Sequence, residues 1–306
     1  MSLLATFRRF LKIKNQKMIN LHSNNFLTFV RLDNEERKAN LKAMYSFYKN
    51  SCENYTHIFI EDDDECKIHD VIDLDKNDVS IFTKSDTEWC KGEGFNKAIK
   101  VAKSNILTFL DTDIIIDPIQ LNETSDLLIK DTNAGFIFPY NGLFLCAEKE
   151  VKDKFCKSLS YDDLVIPEKF KNYTGSRDKS LQDLYALINN VYDGILVGHV
   201  ASKGGCVMGR RDNLIKCNGY NPNFLGWGYE DDEAPFRVSK MGFNVGRTEG
   251  AGKVIFHLHH FDGTGSKKED QPHYEENKNI LEHVEALSKK PNSVELLTQY
   301  SLSWKL

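Results

Sequence analysis

The 306-residue chain is expected to fold as an α/β domain with a mostly parallel central sheet flanked by helices. Three observations point there. Short apolar runs alternate with segments whose apolar residues recur at helical spacing. Acidic residues follow directly on two of those runs, at Glu61–Glu65 (EDDDE) and Asp111–Asp113 (DTD). At this length roughly 75% of the unfolded surface becomes buried, enough for one full core.

Taken in order, Phe26–Val30 reads as a strand and Asn34–Lys49 as a helix, with Leu41, Met44, Tyr45 and Tyr48 on one face. His57–Ile60 and Val79–Phe82 are strands. Gly94–Lys103 is a helix that buries Phe95, Ala98, Ile99 and Ala102. Ile106–Leu110 is a buried strand. Residues 141–195 are less regular, with helical segments at Lys149–Leu159 and Lys179–Asn189. Strand signals return at Cys206–Met208 and Val254–Phe256, and residues 272–304 read as helical. In parallel sheets ligands bind beyond the carboxyl ends of the strands. Glu61–Asp64 and Asp111–Asp113 both fall there.

Composition narrows the classes. Forty Lys+Arg against 45 Asp+Glu leave a net charge of −5, so no basic face for nucleic acid is expected. No segment reaches the roughly 20 apolar residues of a membrane span. Seven cysteines, an odd count without a CxxC pair, fit a reducing, cytoplasmic setting. The first 17 residues are basic, with Leu3, Leu4, Phe7, Phe10 and Leu11 at helical spacing. Such a segment fits peripheral contact with an anionic membrane, the plainer alternative being a helix packed on its own domain.

Three groups carry chemistry. Asp111-Thr112-Asp113 closes a buried strand, and carboxylates at i and i+2 of an extended end point to one side. There they can share a divalent cation, magnesium or manganese. The triplets Asp62/Asp64 and Asp73/Asp75 lack that position. Next, Phe224–Glu233 (FLGWGYEDDE) sets Trp227 beside four acids that open a helix. The helix macrodipole accounts for one or two of those acids, not four. A tryptophan beside carboxylates makes a sugar platform, and an ionised carboxylate there can take a proton from an attacking hydroxyl. Last, Phe256–His260 (FHLHH) places His257 and His260 at i and i+3, able to face one metal together.

In this order the motifs resemble a GT-A fold glycosyltransferase, a Rossmann-like α/β fold, over roughly residues 24–262. The first half is similar to family-2-like transferases, through Ile58–Asp62, Lys91, Asn96 and Asp111–Asp113. The second half resembles beta-1,4-galactosyltransferase and chondroitin-polymerase-type enzymes. It does so through Gly204–Met208, Trp227–Asp232 (WGYEDD where the motif reads W-G-G-E-D-D), His257 and His260. The resemblance implies a single catalytic domain at 24–265, a basic amphipathic segment at 1–23 and a C-terminal helical extension at 266–306. It also implies inverting, metal-dependent transfer of a hexose (Gal, GalNAc or Glc) from a UDP-sugar to a saccharide hydroxyl.

The implied base is Asp231, with Glu230 and Asp232 holding the acceptor. Asp113, His257 and His260 would hold Mn2+ or Mg2+, with Asp111 on the metal or the ribose. Arg31, Asp62, Lys91, Asn96, Gly204, Gly205 and Trp227 would line the donor site. Ser202 stands where the galactosyltransferases carry a bulky aromatic, leaving space for a 2-N-acetyl group. Tyr229 replaces the motif's second glycine and narrows the acceptor side. Glycine-rich loops at Asn218–Gly228 and Gly263–Ser266 are candidates to close over the donor. A metal-dependent phosphohydrolase and a non-catalytic sugar-binding module are the competing readings.

Overall fold

A computed structural model describes residues 17–84, 88–175, 188–260, 271–304 and 306. Residues 1–16 of the basic amphipathic segment expected at 1–23, most of the Lys179–Asn189 helix and the Gly263–Ser266 loop lie outside the described residues.

The main sheet has seven strands. β1 (Ile19–Val30), β2 (Cys52–Asp63), β3 (Val79–Lys84) and β4 (Ile106–Leu110) run parallel in the order β3-β2-β1-β4. Asn24–Val30 of β1 and all of β4 are buried without alternation, the pattern of strands covered on both faces. Helices flank this half. α1 (Glu35–Ser51) starts at Asn34, whose side chain accepts from the Arg37 N–H at 2.9 Å. The four-residue α2 (Ile68–Val71) follows β2, and α3 (Lys91–Val101) packs on β1 and β2.

After β4 the chain changes sheet. Its corner is Asp111–Asp113, followed by β5 (Ile114–Ile116). α4 (Pro118–Lys130) then leads back to β6 (Ala134–Phe138) of the main sheet. β7 (Phe144–Ala147), α5 (Lys149–Ser158), β8 (Val191–Tyr192) and β9 (Ile195–His199) come next. β10 (Cys206–Arg210) inserts antiparallel between β4 and β6, and β11 (Asn244–Arg247) completes the main sheet beside β6. β12 (Ile255–Leu258) belongs to a second, five-stranded sheet of order β5-β12-β7-β9-β8. The sequence reading did not foresee this sheet. Its strands are two to five residues long, and β5 finds its partner β12 about 140 residues later in the chain. Periodicity over so few residues is not readable.

Because β10 opposes β4, with Cys206 facing Leu110, its first residues lie at the carboxyl edge of β1, β2 and β4. The Glu61–Glu65 cluster also resolves at that edge. Glu61 and Asp63 turn to one side of β2 and fasten backbone: Glu61 accepts from the N–H groups of Lys67 (2.7 Å) and Ile68 (3.1 Å), and Asp63 from that of Leu32 (3.0 Å). Strand alternation leaves Asp62 on the opposite face.

Downstream, α6 (Arg211–Lys216) follows β10, and α7 (Glu230–Lys240) carries the acidic motif. α8 (Tyr274–Ser288) and α9 (Ser293–Ser301) pack on α7 through Val284, Leu287, Leu297, Phe236 and Met241. Arg237 of α7 is fully buried. It bonds Glu233 at 2.6 Å and donates to the carbonyls of Cys217 and Gly219, each at 2.7 Å. Trp304 lies against its guanidinium and donates to the Asn218 carbonyl at 2.9 Å. Removing one partner of a buried pair strands the other charge, at a cost of about 3–5 kcal/mol. Glu233→Ala is therefore expected to lower urea-measured stability by about that amount; a change below about 1 kcal/mol would show that the pair does not hold this corner.

Candidate active site

Two clusters form at the carboxyl edge of the main sheet. The first joins the sheet corner to the second sheet. Asp113 Oδ2 lies 3.1 Å from His260 Nε2 and 3.4 Å from His257 Nε2. One ligand atom from each residue falls within 4.8 Å of the others. Neighbouring ligands of an octahedral ion, each about 2.1 Å from it, are about 3 Å apart, so the spacing suits a divalent cation. The buried Nδ1 of His260 has no hydrogen-bond partner, and one carboxylate with two imidazoles is a manganese-type donor set.

Backbone pairing builds this arrangement. His257 faces Ile114 on β5 and Cys146 on β7, and the Leu258 N–H donates to the Asp113 carbonyl at 2.8 Å. Asn40 donates to the Leu258 carbonyl (3.1 Å), and Lys152 to the His259 carbonyl (2.6 Å). His259 is thus held by its backbone and is not in the ligand group. Burial alone would lower the pKa of His257, but the Asp113 carboxylate outweighs it and holds the imidazole up to about 10. The same contact keeps Asp113 well below the usual carboxylate range, against its own burial.

The second cluster centres on Lys91, the first residue of α3. Its Nζ lies 3.0 Å from Asp111, 3.7 Å from Asp231 and 3.9 Å from Glu230. Burial would depress the ammonium, yet the three carboxylates hold it well above its ordinary value. Burial pushes Asp231 up to about 8; Lys91 opposes the shift, while Glu230 and Asp111 add to it. Burial also raises Glu230, although Glu230 accepts from the Gly228 N–H at 3.1 Å.

Gly204 and Gly205 form the floor between the clusters. A Cβ on Gly204 would stand 3.0 Å from Asp231 Oδ2, so the Asp231 carboxylate lies directly on this backbone. Gly205 has φ +84°, and a Cβ there would press on Ile114 and Ile255 of the second sheet. The Gly205 carbonyl accepts from the Asp111 N–H at 3.0 Å, tying floor to corner. Lys203 pairs with Asp232 at 2.7 Å on the exposed side.

The structure corrects two expectations. Asp111 and Asp113 do not share a cation position: the chain turns at Thr112–Asp113 instead of continuing extended, so the i, i+2 rule does not apply. Asn96 does not line a donor site, because its amide is spent on both backbone groups of Tyr220, each at 2.8 Å. Among the other sequence-predicted residues, Arg31 follows β1, Asp62 is buried near the end of β2, and Trp227 is 39% exposed beside the acids.

Sequence reasoning missed Tyr140, whose hydroxyl donates to the Gly204 carbonyl at 2.9 Å. It also missed Arg247, which stacks on Tyr140 and donates to the Ser202 carbonyl at 2.7 Å. Neither carries a motif. Asn40 did carry a signal, as a polar residue on the buried face of α1.

Residues 199–261 match the family model described as the N-terminal domain of galactosyltransferase. That segment holds Gly204, Gly205, Trp227, Glu230–Asp232, His257 and His260, and over it the chain is galactosyltransferase-like. Beta-1,4-galactosyltransferase 6 of Mus musculus is 32% identical over 130 residues, covering 41% of this chain and 33% of that protein. The chain therefore matches about a third of the length of this curated relative. Among solved structures, the catalytic domain of Drosophila beta1,4galactosyltransferase 7 in complex with xylobiose aligns with a TM-score of 0.45 and 16% identity, over 83% of this chain and 78% of that one. The mannosyltransferase PcManGT from Pyrobaculum calidifontis, in complex with GDP-Man and Mn2+, aligns with a TM-score of 0.47 and 12% identity, over 98% and 81%.

A cation at Asp113, His257 and His260 must displace the proton that His257 retains up to about pH 10. Manganese affinity is therefore expected to strengthen as pH rises from about 6 to about 9, with proton release on binding and loss of binding in Asp113→Ala. Titration calorimetry in buffers of different ionisation enthalpy checks this; an affinity flat in pH would contradict it.

Proposed function

We propose that the protein is an inverting, metal-dependent glycosyltransferase that moves a hexose from a UDP-sugar to a saccharide hydroxyl. One observation carries the reading: Asp231 heads α7, rests on Gly204 and lies 3.7 Å from Lys91, at the sheet edge that also bears the Asp113–His257–His260 group. The galactosyltransferase match over 199–261 supports it, since that segment holds the proposed base and both histidines. When bound, a divalent cation would neutralise the leaving diphosphate as a Lewis acid.

The chain's own residues do the rest. Asp231 takes the proton of the acceptor hydroxyl as that oxygen attacks the anomeric carbon, on the face opposite the departing UDP. Glu230 and Asp232 accept hydrogen bonds from neighbouring acceptor hydroxyls, and Trp227 offers an apolar face to the ring. Lys91 keeps Asp111, Glu230 and Asp231 together without full repulsion. Arg31 and Asp62 bind the nucleotide end, and Gly204–Gly205 leave room for the donor sugar. The small side chain of Ser202 favours a galactose-type donor that carries a 2-N-acetyl group. We further propose that the enzyme works in the cytoplasm and that residues 1–17 bring it to an anionic membrane face.

A panel of UDP-sugars with manganese tests the reading through metal-dependent UDP release; phosphate release from simple esters would instead indicate a phosphohydrolase. Asp231→Asn is expected to keep donor and metal binding and lose transfer by about 10²–10⁴-fold. Near-normal turnover would remove Asp231 as base. The sign of the pH effect follows from the raised carboxyl: the active carboxylate accumulates above about 8, so wild-type kcat should climb through that region to a plateau. A kcat independent of pH across it would contradict a base with that titration. NMR of the product from an alpha-linked donor should show a beta linkage; a retained alpha linkage would rule out inversion.

A further inference from the structure

Tyr229 is a bulky residue held in the left-handed region, with φ +69°, directly before α7. That conformation favours glycine, and a non-glycine residue that keeps it at a site edge invites a functional explanation. Its hydroxyl is fixed at 2.6 Å by the hydroxyl of Tyr274, the first residue of α8. The two rings lie 5.1 Å apart, inclined by 48°, and both are only half-buried.

The same helix grips the neighbouring backbone. Asn277, 1% exposed, donates to the carbonyls of Leu225 (2.8 Å) and Trp227 (3.3 Å) and accepts from the Leu225 N–H (3.3 Å). Helix α8 thus sets the place of Trp227 and adds an aromatic ring beside Tyr229. Core packing does not need these rings, since Val284, Leu287 and Leu297 already hold α8 and α9.

We propose that Tyr229 and Tyr274 form a second saccharide subsite, next to the one at Trp227, so that the acceptor is an oligosaccharide of at least two sugar units. The inference rests on the transferase reading and adds the acceptor class to it. Pyranose rings present C–H faces that pack on half-exposed aromatic rings, and their hydroxyls find acceptors in Asp232 and in Glu275 on the same helix. The two phenol hydroxyls bonded to each other keep the rings at a fixed inclination, which pre-orders the surface.

The test uses the full chain and matched acceptors: xylose and xylobiose, glucose and cellobiose, N-acetylglucosamine and chitobiose. The readout is the ratio of kcat/KM for a disaccharide to that for its monosaccharide, which a loss of overall stability does not shift. For the best pair the wild-type ratio is expected to be at least about tenfold, the scale of one added apolar contact. It should fall to near one in Tyr229→Gly, which restores the motif's glycine, and in Tyr274→Ala. It should survive in Tyr274→Phe, which keeps the ring. A wild-type ratio near one for every pair, an unchanged ratio in Tyr229→Gly and Tyr274→Ala, or UDP release without transfer to any of these sugars would overturn the subsite and leave the transferase reading standing. Failure to release UDP from any donor with manganese would defeat the transferase reading itself.

Discussion

One buried ammonium allows the rest of the site to exist. Lys91 holds Asp111, from the end of β4, beside Glu230 and Asp231, from the start of α7 some 120 residues later. Three carboxylates around one largely buried ammonium leave an excess of negative charge, with Asp111 and Asp231 still partly open to solvent. That excess, added to burial, is why Asp231 titrates high. A carboxylate at the helix start would ordinarily be stabilised by the macrodipole, so its raised pKa shows burial and crowding winning over the dipole. The Asp231 carboxylate is therefore more basic than a solvated aspartate, and it lies beside a lysine whose own ammonium is held well above its ordinary value.

The position of that cluster depends on a change of sheet. Asp111–Asp113 is the corner where the chain leaves β4 and enters β5, and each aspartate takes a different side of it. Asp111 faces Lys91 at the start of α3, and Asp113 faces His257 of β12 and His260 just after it. β10 supplies the floor between them because it runs opposite to β4 and starts at the same edge. Gly205 fits there because its φ of +84° favours glycine and a Cβ would crowd Ile114 and Ile255. The two sheets and the two clusters are thus one construction, with the metal-type ligands on one side of the glycine pair and the acids on the other.

How much of this was legible in the sequence follows from the range of each interaction. β4 was read with its observed bounds, and α1, α5 and α9's region of the tail followed from periodicity, because helices and buried strands write their pattern locally. The histidine group was legible because its spacing is local too. The split of Asp111 from Asp113 was not, since it depends on a turn that β5 imposes by pairing with β12. Asn96 shows the same limit from another side. Its residue type suits a ligand contact, yet only the approach of Tyr220, 124 positions away, shows where its amide is spent. Tyr140 and Arg247 brace the floor through backbone carbonyls, which leave no trace in residue identity.

The Asn218–Gly228 loop carries more fixed contacts than its glycine content suggests. Its glycines suggested a closing lid, but the described structure fastens the loop along its length. Trp304 holds Asn218, Asn96 holds Tyr220, Tyr300 meets Asn221, and Asn277 holds Leu225 and Trp227. Gly219 is needed for its φ of +62° and for the close approach of the Asn96 amide. Each anchor is a buried or half-buried side chain, and all but Tyr300, which meets the Asn221 side chain, bond backbone; a buried polar group left without its partner is costly. The segment is a wall: it presents Trp227 and Tyr229 at a fixed place, and Arg237 secures its far end to α7. The proposed base at the head of α7 and the proposed platform on this wall are thereby held at a fixed separation, which is what the proposed orientation of an acceptor hydroxyl toward Asp231 requires.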